Sequence, residues 1–255
     1  MLLHGEREGT GPRVVLLHGF GQTARCWGPL APALARGHEV LRLDAPGHGA
    51  SGEVAADLPT TGRWMAATGG PAVYLGYSMG ARMALHVATE APEVVRGLVL
   101  LGGTPGIEDD AARAERHGAD RALAARIRAE GVPAFVDRWL ARPMFAGLPP
   151  EGRFVHERLR NSAEGLASSL ELAGTGAQVP LWHRLAGIDV PVLAVAGADD
   201  APYAVLARRT AAAIGPNATS AVVTGAGHSA HLEQPHRFAA LVLRWLGRLD
   251  RRAPR

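Results

Sequence analysis

The stretch Ala72-Val73-Tyr74-Leu75-Gly76-Tyr77-Ser78-Met79-Gly80-Ala81-Arg82 joins a short apolar run to a helical pattern through a serine set between glycines. The run Ala72 to Leu75 has the length and composition of a buried strand, and Ala81 to Glu90 has a helical pattern. A G-x-S-x-G pentapeptide is common by chance, but one that leaves a strand and enters a helix has the context of a nucleophile elbow. There the glycines permit a strained turn, the Ser78 hydroxyl is exposed at the sheet edge, and the Met79 amide faces a developing oxyanion.

Outward from this turn, similar apolar runs recur at Val14 to Leu17, Val40 to Leu43, Gly97 to Leu101, Val192 to Ala196 and Ala221 to Val223. Each is short and bounded by Gly, Pro or polar residues, which suits strands buried on both faces. Helical patterns at Tyr203 to Ile214 and His236 to Leu249 alternate with them, so the expected fold class is α/β with a mostly parallel, doubly wound sheet. Residues 108–176 break the alternation: Asp109 to Ala129 and Ala134 to Leu140 are charged, Ala-rich and helical, with no convincing strand. We expect a helical cap over residues 108–176, inserted into a core made of 1–107 and 177–255. Its place is over the C-terminal strand edge, where open α/β sheets bind ligands. The N-terminus leaves room for at most one strand before Val14, and the stretch between Ser51 and Gly70 is short for an intervening helix.

The chain has 255 residues, 47% of them hydrophobic, which is enough for one large domain with an insertion and excludes a disordered chain. A single cysteine, Cys26, excludes an intramolecular disulfide and fits a reducing compartment. The isoelectric point near 9.7 invites a nucleic-acid or anionic-membrane partner. All 27 basic residues are Arg, however, against 24 acidic ones, so with no Lys to titrate a small surplus lifts the isoelectric point far. The surplus sits in a tail holding Arg244, Arg248, Arg251, Arg252 and Arg255. We therefore expect no nucleic-acid partner. No apolar stretch of membrane-spanning length and no signal pattern is present, so the expectation is a soluble cytoplasmic protein without a membrane partner.

A serine that attacks or abstracts needs an imidazole to take its proton and a carboxylate to orient that imidazole. Gly197-Ala198-Asp199-Asp200 follows the run ending at Ala196, and Gly225-Ala226-Gly227-His228 follows the run ending at Val223. Of eleven histidines, His228 stands apart because it follows a strand in a glycine-rich loop able to curl toward the serine. His231 adds an H-x-x-H spacing, but no H-E-x-x-H and no third ligand accompanies it, so no metal is expected.

Leu17-His18-Gly19-Phe20-Gly21, the D-x-P-G-H-G-x-S run from Asp44 to Ser51, the Ser78 pentapeptide and the G-x-G-H before Ser229 together resemble the α/β-hydrolase superfamily from about Val14 to Leu246. The resemblance implies the chain order Ser, acid, His, with Ser78, Asp200 and His228 as the catalytic set. Asp200 is favoured over Asp199 on the spacing of the fold family. It also implies an oxyanion hole from the Phe20 and Met79 amides, with His18, Asp44 and His48 in structural roles. The motifs of the expected cap narrow the match. Thr104-Pro105-Gly106-Ile107, the run Arg113 to Asp120, Phe135-Val136-Asp137-Arg138-Trp139, Arg158 through Ala167, Gly174-Thr175-Gly176 and Leu181-Trp182 resemble the 2-succinyl-6-hydroxy-2,4-cyclohexadiene-1-carboxylate synthases of menaquinone biosynthesis. Ala81 departs from the pattern, standing where a second glycine usually follows the elbow.

That resemblance implies a lyase that eliminates pyruvate from a succinyl, enolpyruvyl cyclohexene carboxylate, without cofactor or metal. A small polycarboxylate substrate calls for cationic side chains at the pocket. The resemblance points to Arg82, Arg116 and Arg158, with Tyr77 and Trp139 lining the pocket; Arg113 or Arg160 could replace a neighbour in the cap. Residues 108–176 carry ten Arg and eleven Asp plus Glu, so any positive potential there must come from placement. Two other functions stay open at this point: a serine hydrolase of small esters or of C–C bonds in carboxylated substrates, and a non-catalytic binder of a small ligand. Against the binder stands the complete Ser, Asp and His set, and as to assembly the expectation is a monomer or simple homo-oligomer.

Overall fold

The computed structural model describes residues 1–251. In chain order the main elements are β1 (Gly5–Glu8), β2 (Arg13–Leu17), α1 (Leu30–Leu34), β3 (Glu39–Leu43), α2 (Leu58–Gly69), β4 (Ala72–Tyr77), α3 (Met79–Glu90) and β5 (Val95–Leu101). There follow α4 (Asp110–Leu140), α5 (Val155–Arg158), α6 (Ala163–Ala173), β6 (Val192–Gly197), α7 (Ala201–Ile214), β7 (Ala218–Val223), α8 (Ala230–Glu233) and α9 (Pro235–Asp250). The sheet runs β1-β3-β2-β4-β5-β6-β7. β1 is antiparallel to β3 and every other pairing is parallel.

The period of two in the strands divides the core into two layers. In β2, Val15 and Leu17 point into the layer that holds Met65 of α2 and Met83 of α3, while Val14 and Leu16 point into the layer that holds Leu30 of α1 and Phe238 and Trp245 of α9. β4 is buried along its whole length because helices cover both faces, so its sequence is a continuous apolar run without alternation.

The stretch that looks too short for a helix between Ser51 and Gly70 does form one. Asp57 caps α2 by accepting from the Thr60 amide at 2.8 Å, and Pro59 stands in its first turn, where a missing N–H costs nothing. Twelve residues suffice. The single strand allowed at the N-terminus is β1, on the sheet edge.

Between β5 and β6 the chain carries α4, α5, α6 and short 3₁₀ turns, with no strand. α4 is two helical segments joined at Gly131, whose φ of 81° is a conformation that glycine adopts without strain; Pro133 stands two residues on. Ala124, Ile127, Phe135 and Val136 of α4 bury against Leu166, Ala167 and Leu170 of α6 in a cluster of their own. Arg128 spans the same helix pair from outside, reaching both Glu164 and Glu171. Of the basic tail, Arg244 and Arg248 lie exposed on α9, whereas Arg252 and Arg255 fall outside the described residues.

Four buried histidines link this packing to pH. Burial pushes the His48 and His231 rings down to about 3 and the His86 ring to about 4, and it lowers His18 as well. A ring with a folded-state pKa below its unfolded value is neutral in the native state. Its contribution is complete above the unfolded value of 6.5 and is lost as pH falls toward 3 or 4. Lowering the pH from 7 to 5 is expected to remove about 2 kcal/mol of stability for each of His48, His86 and His231. Urea unfolding at the two pH values checks this; a midpoint that does not fall in acid contradicts it.

Candidate active site

The turn from β4 into α3 is built on close approach. A Cβ at Gly80 would collide with the Leu17 carbonyl, and one at Gly76 with the Gly80 carbonyl, so only glycine fits either position. Ser78 between them has φ 52° and ψ −108°, a strained conformation for a residue with a side chain. Its amide donates to the Leu101 carbonyl at 2.7 Å, which fixes the turn to β5. The strain lifts the hydroxyl away from the sheet, where an imidazole can meet it.

That imidazole is His228, 2% exposed, whose Nε2 lies 3.0 Å from Ser78 Oγ. Its Nδ1 lies 2.6 Å from Asp200 Oδ2. A carboxylate only accepts, so the Nδ1 proton points to Asp200 and the Nε2 lone pair faces the Ser78 hydroxyl. The His228 ring packs against Tyr203 at 4.6 Å and Tyr77 at 5.5 Å. Gly102 leaves room for it: a Cβ there would stand 3.1 Å from His228 Cε1. Asp199 is exposed. Of the two adjacent acids, the structure brings Asp200 to the histidine.

The Phe20 and Met79 amides donate to no protein acceptor among the described residues. Met79 N–H is the first of α3, at the positive end of its dipole. Phe20 N–H belongs to a peptide whose other end is held fast: the Gly19 carbonyl accepts from His18 Nδ1 at 2.8 Å and from the Gln22 amide at 3.2 Å. On the far side, Gly21 N–H donates to His48 Nε2 at 3.1 Å. His18 Nε2 accepts from the Ala45 amide, and Asp44 accepts from the Ala24 and Ala50 amides and pairs with His4. The three loop residues read as structural occupy structural places.

Ser78, Met79, Asp200, His228, Phe20, Arg82, Arg116 and Trp139 line one cavity of about 310 Å³ beneath α4 and α6. Arg82 is 7% exposed, and burial lowers its pKa to about 10, so it stays cationic at neutral pH. Its Nη1 donates to the Ala173 carbonyl at 2.7 Å, and among the described residues no carboxylate pairs with it. Arg116 is half-exposed at the rim and held by Asp120 at 2.8 Å. Asp120 is itself fixed by the Gly176 amide.

Two expected pocket residues line an adjoining space and not the main cavity. Arg158 is 2% exposed, with Nε committed to the Arg153 carbonyl at 2.8 Å and Nη1 to the Gly21 carbonyl at 3.2 Å. Tyr77 is the last residue of β4, turned under His228 with its hydroxyl 2.6 Å from Ser229 Oγ. Both border a small side chamber that also touches Ser78 and His228, and neither lines the main cavity. The alternatives Arg113 and Arg160 are tied to local partners and line neither space.

Sequence reasoning missed Arg142 and Tyr203, which do line the main cavity. Arg142 lies over the Trp139 indole at 4.3 Å, a cation–aromatic pair whose three-residue spacing was readable. His231 is buried between Trp27 and Tyr77, and among the described residues no group of three His, Cys, Asp or Glu is placed to hold a metal. No helix among them is long and apolar enough to cross a membrane.

A strained serine between strand and helix, a buried histidine on its hydroxyl and a carboxylate behind that, mounted on this sheet order, define a class. The chain belongs to the alpha/beta hydrolase family, whose model matches residues 14–241. It is 35% identical over 251 residues to the 2-succinyl-6-hydroxy-2,4-cyclohexadiene-1-carboxylate synthase of Salmonella newport, across 92% of this chain and 95% of that one, and so falls within the family of these synthases. Among solved structures, MenH from S. aureus superposes with a TM-score of 0.89 at 29% identity, covering 97% of this chain and 99% of that one. A thermophilic esterase from Thermogutta terrifontis, solved with malate bound, superposes at 0.83 and 25% identity, over 97% and 93% of the two chains.

Proposed function

We propose that this chain eliminates pyruvate from 2-succinyl-5-enolpyruvyl-6-hydroxy-3-cyclohexene-1-carboxylate to give 2-succinyl-6-hydroxy-2,4-cyclohexadiene-1-carboxylate, a step of menaquinone biosynthesis in the cytoplasm. The observation that carries the reading is the joining, in one cavity, of a complete serine, histidine and aspartate relay with buried, carboxylate-free Arg82 and the rim cations Arg116 and Arg142. The substrate carries three carboxylates, and guanidinium groups are suited to them.

The chemistry follows from the placement. Ser78, its proton drawn toward His228 Nε2, takes the ring proton α to the succinyl ketone. The electron pair left on carbon delocalises into that ketone, and the Phe20 and Met79 amides hold the enolate oxygen, as they would hold a tetrahedral oxyanion. Collapse of the enolate shifts the ring double bond and breaks the C–O bond to the enolpyruvyl group, which leaves as the pyruvate enolate and is then protonated. Nothing is oxidised or reduced, so the step needs no redox cofactor. Residues 108–176 act in this account as the cap that brings Arg116, Trp139 and Arg142 over the reacting ring.

A second reading, hydrolysis of small esters, has the same relay and the esterase likeness in its favour. Incubation with the authentic enolpyruvyl substrate separates the two. Pyruvate release far above the buffer rate is expected, with aryl ester turnover much slower; the reverse order favours the hydrolase.

A further inference from the structure

The mechanism uses the His228 side chain, but what holds its backbone in place lies outside the relay. Gly227 N–H donates to Glu233 Oε2 at 2.7 Å, and Ser229 N–H donates to Glu233 Oε1 at 2.9 Å. One carboxylate therefore holds the amides of the residues on both sides of His228. The Glu233 amide in turn donates to the Ser229 carbonyl at 3.0 Å, closing a reciprocal ring at the start of α8. Ser229 Oγ meets the Tyr77 hydroxyl at 2.6 Å, so the residue after the base is tied to the residue before the nucleophile.

The insertion rests on the same carboxylate. Phe145 and Leu148 pack on Leu232 of α8, and Gly147 passes so close to Glu233 that a Cβ there would collide with Oε2. That oxygen is the far end of a flexible side chain, so the collision would move the carboxylate and spare the backbone.

We propose that Glu233 is a positioning residue for His228: its carboxylate sets the distance and direction of Nε2 toward Ser78, and Gly147 is the point where the insertion seats against it. The proposal rests on the reading of His228 as the base, but not on the identity of the substrate. Glu233→Gln keeps the shape and loses one acceptor, because a side-chain NH₂ faces a backbone N–H. A shift of even 1 Å in a reacting group costs about two orders of magnitude in rate, so a partial loosening is expected to cost about ten-fold or more.

The test is the rate at which phenylmethylsulfonyl fluoride modifies Ser78, followed by intact mass, since forming the O–S bond and expelling fluoride requires His228 to take the serine proton. Glu233→Gln is expected to lower that rate about ten-fold or more while leaving the synthase KM nearly unchanged. Gly147→Ala, which touches neither Ser78 nor His228, is expected to do the same and provides the answer if Glu233→Gln fails to fold. In a His228→Ala background, Glu233→Gln is expected to have no further effect on the residual rate, because a group acting only through His228 has nothing left to position. Labelling at the wild-type rate in folded Glu233→Gln or Gly147→Ala overturns the proposal, as does an equal further loss when His228 is absent. Wild-type chain that is labelled but releases no pyruvate would count against the substrate reading and leave the clamp standing.

Discussion

Ser78→Ala and His228→Ala are each expected to lower pyruvate release by about 10⁴-fold, with little change in the concentration of substrate that half-saturates the enzyme. The hydroxyl and the imidazole form a single relay, 3.0 Å apart, so removing either disables the other. The double variant should therefore be scarcely worse than either single one. Saturation survives because the guanidinium of Arg82 and the indole of Trp139 are untouched by either change. Steady-state kinetics of the three variants, with circular dichroism to confirm the fold, check the expectation. Additive losses, with the double variant falling by the product of the two factors, would mean that the two groups act independently.

Asp200→Asn is the second large effect. In the native site the carboxylate accepts the Nδ1 proton at 2.6 Å and leaves Nε2 free to take the serine proton. An amide in its place can turn its NH₂ toward Nδ1, which stabilises the tautomer with the proton on Nε2 and sets a donor against the Ser78 hydroxyl. Turnover is expected to fall about 10³-fold or more. Asp199→Asn is the control: that side chain is exposed beside the site, and its loss should leave turnover within a factor of about two, as is usual for exposed positions. If Asp199→Asn were the damaging substitution, the orienting acid would be misassigned.

Much of this site is legible in the amino-acid sequence. The Ser78 pentapeptide, the acid after the run ending at Ala196 and the histidine after the run ending at Val223 each stand at a strand end. β4 and β6 are buried on both faces and read as continuous apolar runs, whereas β7, at the sheet edge, is not: only Val223 of it is buried, and its run is legible through its length and the glycines that follow. The start of α2 was readable too, through Asp57 and Pro59, yet the stretch looks short until the cap is seen to accept the Thr60 amide.

Arg158 shows where sequence stops. Its spacing resembles that of a pocket arginine, but that its guanidinium borders the side chamber by Ser78 while bonding the Gly21 carbonyl depends on how α5 docks against the loop after β2, a long-range contact that no local pattern encodes. Tyr77 reaches the side chamber, and not the main cavity, for a related reason. It is one residue from the nucleophile, but the period of two in β4 turns it to the α9 side of the sheet, under His228. Arg142 follows α4 in an arginine-rich stretch, so its three-residue spacing from Trp139, though readable, gains weight only once the indole lies beneath it.

The hydrolase relay of this chain is expected to serve as a base for elimination and not as a nucleophile. The most direct measurement is a rapid-quench reaction of the wild-type chain with the authentic enolpyruvyl substrate, reading pyruvate and intact protein mass from the same samples. One pyruvate is expected for each substrate consumed, while the chain keeps its unmodified mass throughout. Pyruvate no faster than in buffer, or a covalent adduct on Ser78 that forms and decays with turnover, would contradict it.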